Sequence, residues 1–141
     1  MNNKLNVGYR SVENHSDTER VLFIDDEKAL TDVGRQMLER LGYAVTVQTN
    51  SIGAVELFKS KPYDFDLVIT DFSMPGMTGD LLSAAIVKVR PDIPVILCTG
   101  YKKEMSNQKA KEMGICAITQ KPFSMSSLAK TIRKVLDESK N

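Results

Sequence analysis

The chain is long enough for one domain with a sizeable core, and its charges are nearly balanced. It has 141 residues, 42% of them hydrophobic, and a formal net charge of +1, so it offers no strong field to nucleic acid or to an anionic membrane. No apolar run is long enough to span a bilayer, and residues 1–20 are polar without a signal-peptide pattern. We therefore expect a cytoplasmic protein that neither inserts into a membrane nor binds nucleic acid directly.

Two parts of the chain differ in their patterning. Residues 1–19 lack apolar periodicity, which predicts a flexible leader or linker containing the single histidine, His15. Residues 20–139 alternate apolar runs with segments of helical periodicity, which predicts one domain over that range.

Five short apolar runs predict five β-strands, at residues 21–24, 44–47, 65–70, 94–98 and 115–119. Each run is followed by a helical pattern, and the first four of these patterns stop near Gly42, Pro62, Pro91 and Gly114. Regular alternation of this kind predicts an α/β fold, a doubly wound parallel sheet of five strands with helices on both faces. A flavodoxin-like strand order, 2-1-3-4-5, would place strands one and three side by side.

Three sulfur-containing residues have a predicted environment. Cys98 and Cys116 fall in predicted strands, and we expect both to be small buried thiols rather than metal ligands or a disulfide. Met105 lies on the polar helix predicted for residues 102–113, where it is either a partner contact or exposed by chance.

Polar residues stand where the predicted strands end. Asp25 and Asp26 follow strand one, Asp71 follows strand three, Thr99 follows strand four and Lys121 follows strand five. Ligands of doubly wound sheets bind at this edge, and carboxylates gathered there repel each other unless a positive charge lies among them. A divalent cation and a lysine are the obvious candidates, and an all-oxygen ligand set suits Mg²⁺ better than zinc, while Mn²⁺ can substitute.

The segment from Arg20 to Glu138 resembles the receiver domain of bacterial two-component response regulators. Any single motif is weak, but together and in this order the motifs are highly specific. They are VLFIDDE at 21–27, VITD at 68–71, MPGMTG at 74–79, TG at 99–100 and KPF at 121–123. The sequence at residues 68–71, 74–79 and 94–101 is most similar to the receivers of hybrid sensor histidine kinases.

The resemblance implies a phosphoacceptor signalling domain, not an enzyme that acts on an external substrate. It implies that Asp71 receives a phosphoryl group from a histidine kinase or a histidine phosphotransfer domain and that the domain then switches conformation. It implies that Mg²⁺ is held by Asp25, Asp26, Asp71 and the backbone carbonyl of Ser73. It further implies that the phosphoryl group is bound by Thr99, Gly100 and Lys121.

Two features of the sequence bear on switching and on the phosphorylated lifetime. Many receivers carry an aromatic residue three positions before the lysine, but Ile118 stands there in this chain, so an aromatic toggle at that position cannot operate. By the same resemblance, Ser73 and Tyr101 flank the path of the water that hydrolyses the phosphorylated form. Tyr101 is bulky enough to shield the phosphoryl group.

Two other functional classes are compatible with parts of the pattern. A Mg²⁺-dependent aspartyl-phosphate phosphatase would need a second acid two residues after its nucleophile, where this chain has Ser73. A flavin- or nucleotide-binding module of the same fold would need a phosphate-binding loop after strand one, where Asp25 and Asp26 would repel a phosphate. We expect no DNA-binding output domain, which leaves a free-standing receiver, an excised receiver or the C-terminal receiver of a hybrid kinase.

Overall fold

Five strands and five helices alternate along the chain in a computed structural model that describes residues 18–100, 105–122 and 124–139. The strands are β1 Arg20–Ile24, β2 Ala44–Gln48, β3 Leu67–Asp71, β4 Val95–Thr99 and β5 Ala117–Gln120. The helices are α1 Lys28–Arg40, α2 Ser51–Ser60, α3 Gly79–Val89, α4 Asn107–Glu112 and α5 Met125–Ser139. Every predicted strand and helix has a counterpart whose ends differ by a few residues, except that residues 102–104 of the helix predicted for 102–113 lie outside the described part of the chain.

The strands form one parallel sheet in the order β2-β1-β3-β4-β5, which confirms the predicted topology. The register between the central strands pairs Val21 with Leu67 and Ile24 with Thr70. Strands β3 and β4 pair Val68 with Val95 and Asp71 with Cys98. Because all five strands are parallel, their carboxyl ends lie along one edge of the sheet.

Each face of the sheet has its own buried layer, because successive side chains of a strand point to opposite faces. One layer, next to α1 and α5, contains Phe23, Ile69 and Ile132. The other, next to α2, α3 and α4, contains Leu22, Val68 and Ile86. The three central strands, β1, β3 and β4, are buried on both faces, and this is why they are continuous apolar runs in the sequence.

Two side chains have a different environment from the one predicted. Met105 is 4% exposed and packs in the layer next to α4, and α4 begins only at Asn107, after the N-cap Ser106. Cys116 is exposed: it directly precedes β5, an edge strand of the sheet, and its neighbour Ile115 takes the buried side. The prediction that Cys98 is buried is correct.

The amphipathic pattern of α1 identifies the helix but not the full extent of its buried face. Leu38 is completely buried, whereas Leu30 is 37% and Val33 is 52% exposed. The apolar side chains of α1 therefore form a stripe that is wider than the surface the sheet covers.

The predicted leader falls mostly on residues that lie outside the described part of the chain, so the bounds 1–19 and 20–139 remain predictions. Within the described residues, none of the helices is long and apolar enough to cross a membrane.

Candidate functional site

Strand register and side-chain alternation bring the predicted acids together. Asp25 comes two residues after Phe23, just past the end of β1, and Asp71 comes two residues after Ile69 on β3. Because side chains alternate between the faces, both carboxylates lie on the face that packs against α1 and α5. The pairing of Ile24 with Thr70 then sets Asp25 and Asp71 beside each other at the carboxyl edge of the sheet. Asp25 is 1% exposed and Asp71 is 8% exposed, so water can solvate neither carboxylate fully.

The three acids are close enough to share one cation. One carboxylate oxygen from each of Asp25, Asp26 and Asp71 lies within 4.8 Å of the other two. Mg²⁺ binds oxygen at about 2.0–2.1 Å, so opposite ligands of one ion are separated by about 4.2 Å. The carboxylates therefore fit Mg²⁺ after a small inward movement. The burial of two of them favours a bound positive charge.

Lys121 already supplies one positive charge to this cluster. Its Nζ donates to Asp25 Oδ2 at 2.8 Å and forms an ion pair with Asp71 Oδ1 at 2.9 Å. Lys121 follows β5, so its side chain spans the end of β4 to reach β3 and β1. On the same face, β4 presents the small side chain of Cys98, which is buried below this bridge.

Burial and charge act in opposite directions on these groups. Burial raises the pKa of the Asp71 carboxyl, and the hydrogen bond and charge of Lys121 offset only part of this effect, while Asp25 and Asp26 add to it. For Lys121, burial alone would lower the pKa, but the hydrogen bonds to Asp25 and Asp71 outweigh it and raise the pKa. Burial also raises the pKa of Cys98 to about 12, so its thiol stays neutral at physiological pH.

Backbone contacts fix Asp25 at the end of β1. Asp25 donates its N–H to the carbonyl of Gln48 at 3.1 Å, and its Oδ1 accepts from the N–H of Glu27 at 3.0 Å. Glu27, not Asp25, is the N-cap residue of α1. Asp26 lies between them in the sequence and is exposed.

The loop between β3 and α3 is tied back to the sheet at both ends. Phe72 donates its N–H to the Cys98 carbonyl at 2.8 Å, and Gly79 donates its N–H to the Phe72 carbonyl at 2.8 Å. A Cβ on Gly79 would collide with the backbone carbonyl of Asp71, so only glycine permits this closure. Met74 is 6% exposed and anchors the middle of the loop in the core, while the side chain of Ser73 is exposed.

Thr99 and Gly100 lie at the end of β4, at the same edge as the acids. Thr99 is completely buried, and its carbonyl accepts from the N–H of Lys121 at 2.9 Å. A Cβ built on Gly100 meets no atom within 4 Å among the described residues. Ile118 is half-buried on β5 and packs against the layer next to α4. Tyr101 lies outside the described residues, so its predicted shielding role remains a prediction.

One feature beside the acids was not predicted from the sequence. A groove of about 330 Å³ opens next to the site, lined on one side by α1 and on the other by the segment after β5. Leu30, Val33, Met37 and Phe23 give it apolar walls, and Asp25, Lys121, Gly34 and Pro122 also line it. The exposed part of the α1 stripe was the available signal, but helical periodicity alone does not show which apolar residues remain uncovered.

The sequence matches known families in the same region as this site. The family model described as "Response regulator receiver domain" matches residues 21–133. The chain is 30% identical over 118 residues to the sensor kinase CckA of Brucella abortus. The aligned region covers 84% of this chain but only 12% of CckA. It is also 30% identical over 120 residues to the chemotaxis protein CheY of Pseudomonas aeruginosa, in an alignment that covers 84% of this chain and 96% of CheY.

A solved structure has the same fold. The response regulator protein TrrA from Thermotoga maritima, solved in complex with Mg(2+)-BeF, superposes with a TM-score of 0.76 at 28% identity. The match covers 84% of this chain and 99% of that chain. The chain belongs to the response regulator receiver domain family, whose members are signalling domains of two-component systems and generally bind Mg²⁺ through an acidic cluster.

The raised pKa of Asp71 predicts a pH-dependent effect of Asp71→Asn on the metal-free protein. The folded state binds the Asp71 proton more tightly than the unfolded state, so this group's contribution to stability is present below about pH 4 and is lost as the pH rises through the folded pKa. In EDTA at pH 7, Asp71→Asn should therefore raise the free energy of unfolding, by on the order of 1 kcal/mol. The gain should shrink as the pH falls towards 4.

Urea unfolding between pH 4 and pH 8 measures this gain. Asp32→Asn is the control, because Asp32 is an exposed acid that pairs with Lys28 on α1, and its effect should stay small at every pH. An Asp71→Asn protein less stable than the parent at pH 7 would mean that the pair with Lys121 outweighs the cost of burying Asp71.

Proposed function

We propose that Asp71 is the phosphoacceptor of this receiver domain. The supporting observation is its position: a nearly buried carboxylate at the end of β3, 2.9 Å from Lys121 Nζ and grouped with Asp25 and Asp26. Attack on phosphorus brings two anionic groups together, so the main requirement is positive charge at the reacting atoms. This cluster provides it through one lysine and a fitting set of cation ligands.

The phosphoryl transfer forms one bond and breaks one. An Asp71 carboxylate oxygen attacks the phosphorus of a phosphohistidine or of a small phosphodonor, forming an acyl phosphate, and the bond from phosphorus to the donor breaks. The electron pair of the broken bond leaves with the donor. It becomes the lone pair of the histidine nitrogen, or a carboxylate oxygen lone pair when the donor is a small acyl phosphate. The receiver assists its own phosphorylation and dephosphorylation, and it needs no external substrate beyond the donor.

Mg²⁺, with Mn²⁺ as a substitute, would be held by Asp25, Asp26, Asp71 and the backbone carbonyl of Ser73. When bound, it neutralises charge on the carboxylates and on the transferring phosphoryl oxygens. Ser73 follows Phe72, whose N–H is fixed on the Cys98 carbonyl, so its carbonyl stands on a tethered part of the loop.

Lys121 and Thr99 would respond to the phosphoryl group. Lys121 Nζ now bonds Asp25 and Asp71, and in the phosphorylated protein it would bond a phosphoryl oxygen instead. The Thr99 hydroxyl would donate to another phosphoryl oxygen, and none of the described residues would come within 4 Å of a Cβ on Gly100, which leaves room for the group on that side. Because the Lys121 N–H donates to the Thr99 carbonyl, a movement of either backbone would displace the other.

The groove beside the site fits a histidine-bearing partner. Its apolar walls on α1 lie next to Asp25 and Lys121, so a helical surface resting there would bring a phosphohistidine to the carboxylates. We assign this groove to the histidine kinase or histidine phosphotransfer domain that donates the phosphoryl group. The chain spans 12% of the length of CckA, and we propose that it acts in the cytoplasm, either alone or as the receiver of a longer sensor kinase.

Acetyl phosphate with Mg²⁺ tests the phosphoacceptor directly. Intact-mass measurement should find one phosphoryl group on the parent chain, formed only with Mg²⁺ or Mn²⁺ and removed by acid or base. Asp71→Asn should stay unmodified, because its amide cannot act as the nucleophile. Asp66→Asn is the control, since Asp66 pairs with Arg20 at the opposite edge of the sheet. Full phosphorylation of Asp71→Asn, or phosphorylation unaffected by EDTA, would contradict the assignment.

A substitution in the groove should slow phosphoryl transfer from a partner protein without slowing phosphorylation by acetyl phosphate. Val33→Asp places a charge on the apolar wall and should slow transfer from a phosphorylated histidine phosphotransfer protein at least about tenfold, the effect of about 1.4 kcal/mol. Its phosphorylation by acetyl phosphate should be unchanged. Leu81→Asp is the matched control, since Leu81 is 54% exposed on α3 and Val33 is 52% exposed on α1.

The donor protein is chosen as one that phosphorylates the parent chain. Equal slowing by Val33→Asp and Leu81→Asp would move the docking surface away from the groove. Slowing of the acetyl phosphate reaction as well would mean that Val33→Asp disturbs the site itself.

A further inference from the structure

The junction between β2 and α2, residues 48–51, contacts Asp25 after β1 and the loop that follows Asp71 after β3. At one end, the Gln48 carbonyl accepts the N–H of Asp25 at 3.1 Å. At the other end, the Ser51 hydroxyl donates to the Pro75 carbonyl at 3.3 Å, across a sequence separation of 24 residues. The junction therefore bridges the end of β1 and the loop between β3 and α3, although it contributes no acid of its own.

Ser51 is held firmly on its own side of this contact. It is the first residue of α2 and is 3% exposed. The residue before it, Asn50, caps the helix, with its Oδ1 accepting from the Gly53 N–H at 2.7 Å. A buried hydroxyl on a capped helix end has little freedom to move, so its direction is set by the fold.

The loop approaches Ser51 through a turn that needs glycine. Gly76 has a φ of +81°, a conformation that L side chains rarely adopt. A Cβ built on Gly76 would lie 3.7 Å from Ile52 Cδ1 and 3.8 Å from Ser51 Oγ, so the turn packs directly on the start of α2. The Pro75 carbonyl is thereby presented to the Ser51 hydroxyl, two residues after Ser73.

We infer that Ser51 is a positioning residue for the cation site: its hydrogen bond to Pro75 holds the loop in the shape that lets the Ser73 carbonyl complete the ligand set. The inference rests on the proposed function of Ser73. A loop held in this shape only part of the time binds a cation with an affinity reduced by that fraction. Loss of the hydroxyl should thus weaken Mg²⁺ binding without removing any ligand.

The test compares Ser51→Ala with Ser60→Ala. Ser60 is a matched control, because its hydroxyl also donates to a backbone carbonyl, that of Leu57 at 2.8 Å, but at the far end of α2. Mg²⁺ titration should give a Kd about two- to tenfold weaker for Ser51→Ala, the range expected for one neutral hydrogen bond. Amide exchange in the metal-free protein should be faster at Gly76 and Met77 in Ser51→Ala. Ser60→Ala should match the parent in both measurements.

The outcomes distinguish this inference from the metal site itself. If the parent chain binds no Mg²⁺, the proposed cation site is wrong and the inference fails with it. If the parent binds Mg²⁺ and Ser51→Ala binds it equally well, Ser51 has no positioning role and the metal site stands. A Ser51→Ala protein with a lower unfolding free energy but unchanged Kd and loop exchange would overturn the inference in the same way, since it would give Ser51 a purely structural part in α2.

Discussion

Repulsion among three carboxylates is the constraint that the rest of this structure depends on. Asp25, Asp26 and Asp71 bring three negative charges to one point, and Lys121 returns only one positive charge. Water cannot relieve the imbalance at Asp25 and Asp71, because both are almost fully buried. By the proposed function, their placement would weaken the metal-free protein and favour binding of a cation.

The parallel sheet makes this arrangement possible. Its strands end along one edge, and each acid or base of the site is the last residue of a strand or lies within two residues after one. The buried layers on both faces hold the strands in register, so small movements at the edge are opposed by the whole core. Phosphorylation would act at this edge through Lys121 and Thr99, whose backbones are joined by a hydrogen bond. Ile118 is half-buried on β5 and packs against the layer next to α4, so such a movement would reach that layer by repacking an aliphatic side chain.

Much of the fold and the core of the site could be predicted from the sequence. The apolar runs predict the five strands, and the charged residues that follow them predict the edge of the sheet at which Asp25, Asp71 and Lys121 meet. What could not be predicted depends on contacts between distant segments. Cys116 is exposed, although it lies in an apolar run and its N–H donates to the Val95 carbonyl, because it stands at the edge of the sheet. Met105 is buried because tertiary packing, not the polarity of its neighbours, decides its environment.

The contacts around the site show the same limit. Nothing in a serine at the start of α2 indicates that its hydroxyl meets Pro75, which is 24 residues away. Helical periodicity indicates an apolar side of α1, but only the folded chain shows that Val33 on that side stays exposed beside the acids. Local pattern therefore identifies the ligands of the site, while its support and its approach surface emerge only from the folded chain.

The dependence of stability on Mg²⁺ tests most directly whether these carboxylates form one cation site. A ligand that binds only the folded state stabilises it by about 1.4 kcal/mol at ten times its Kd. Chemical unfolding of the parent chain with and without millimolar Mg²⁺ should show a gain of this size. Asp26→Asn should be at least as stable as the parent without metal and should lose the gain. An unchanged unfolding curve for the parent in Mg²⁺, or an equal gain in Asp26→Asn, would contradict this account.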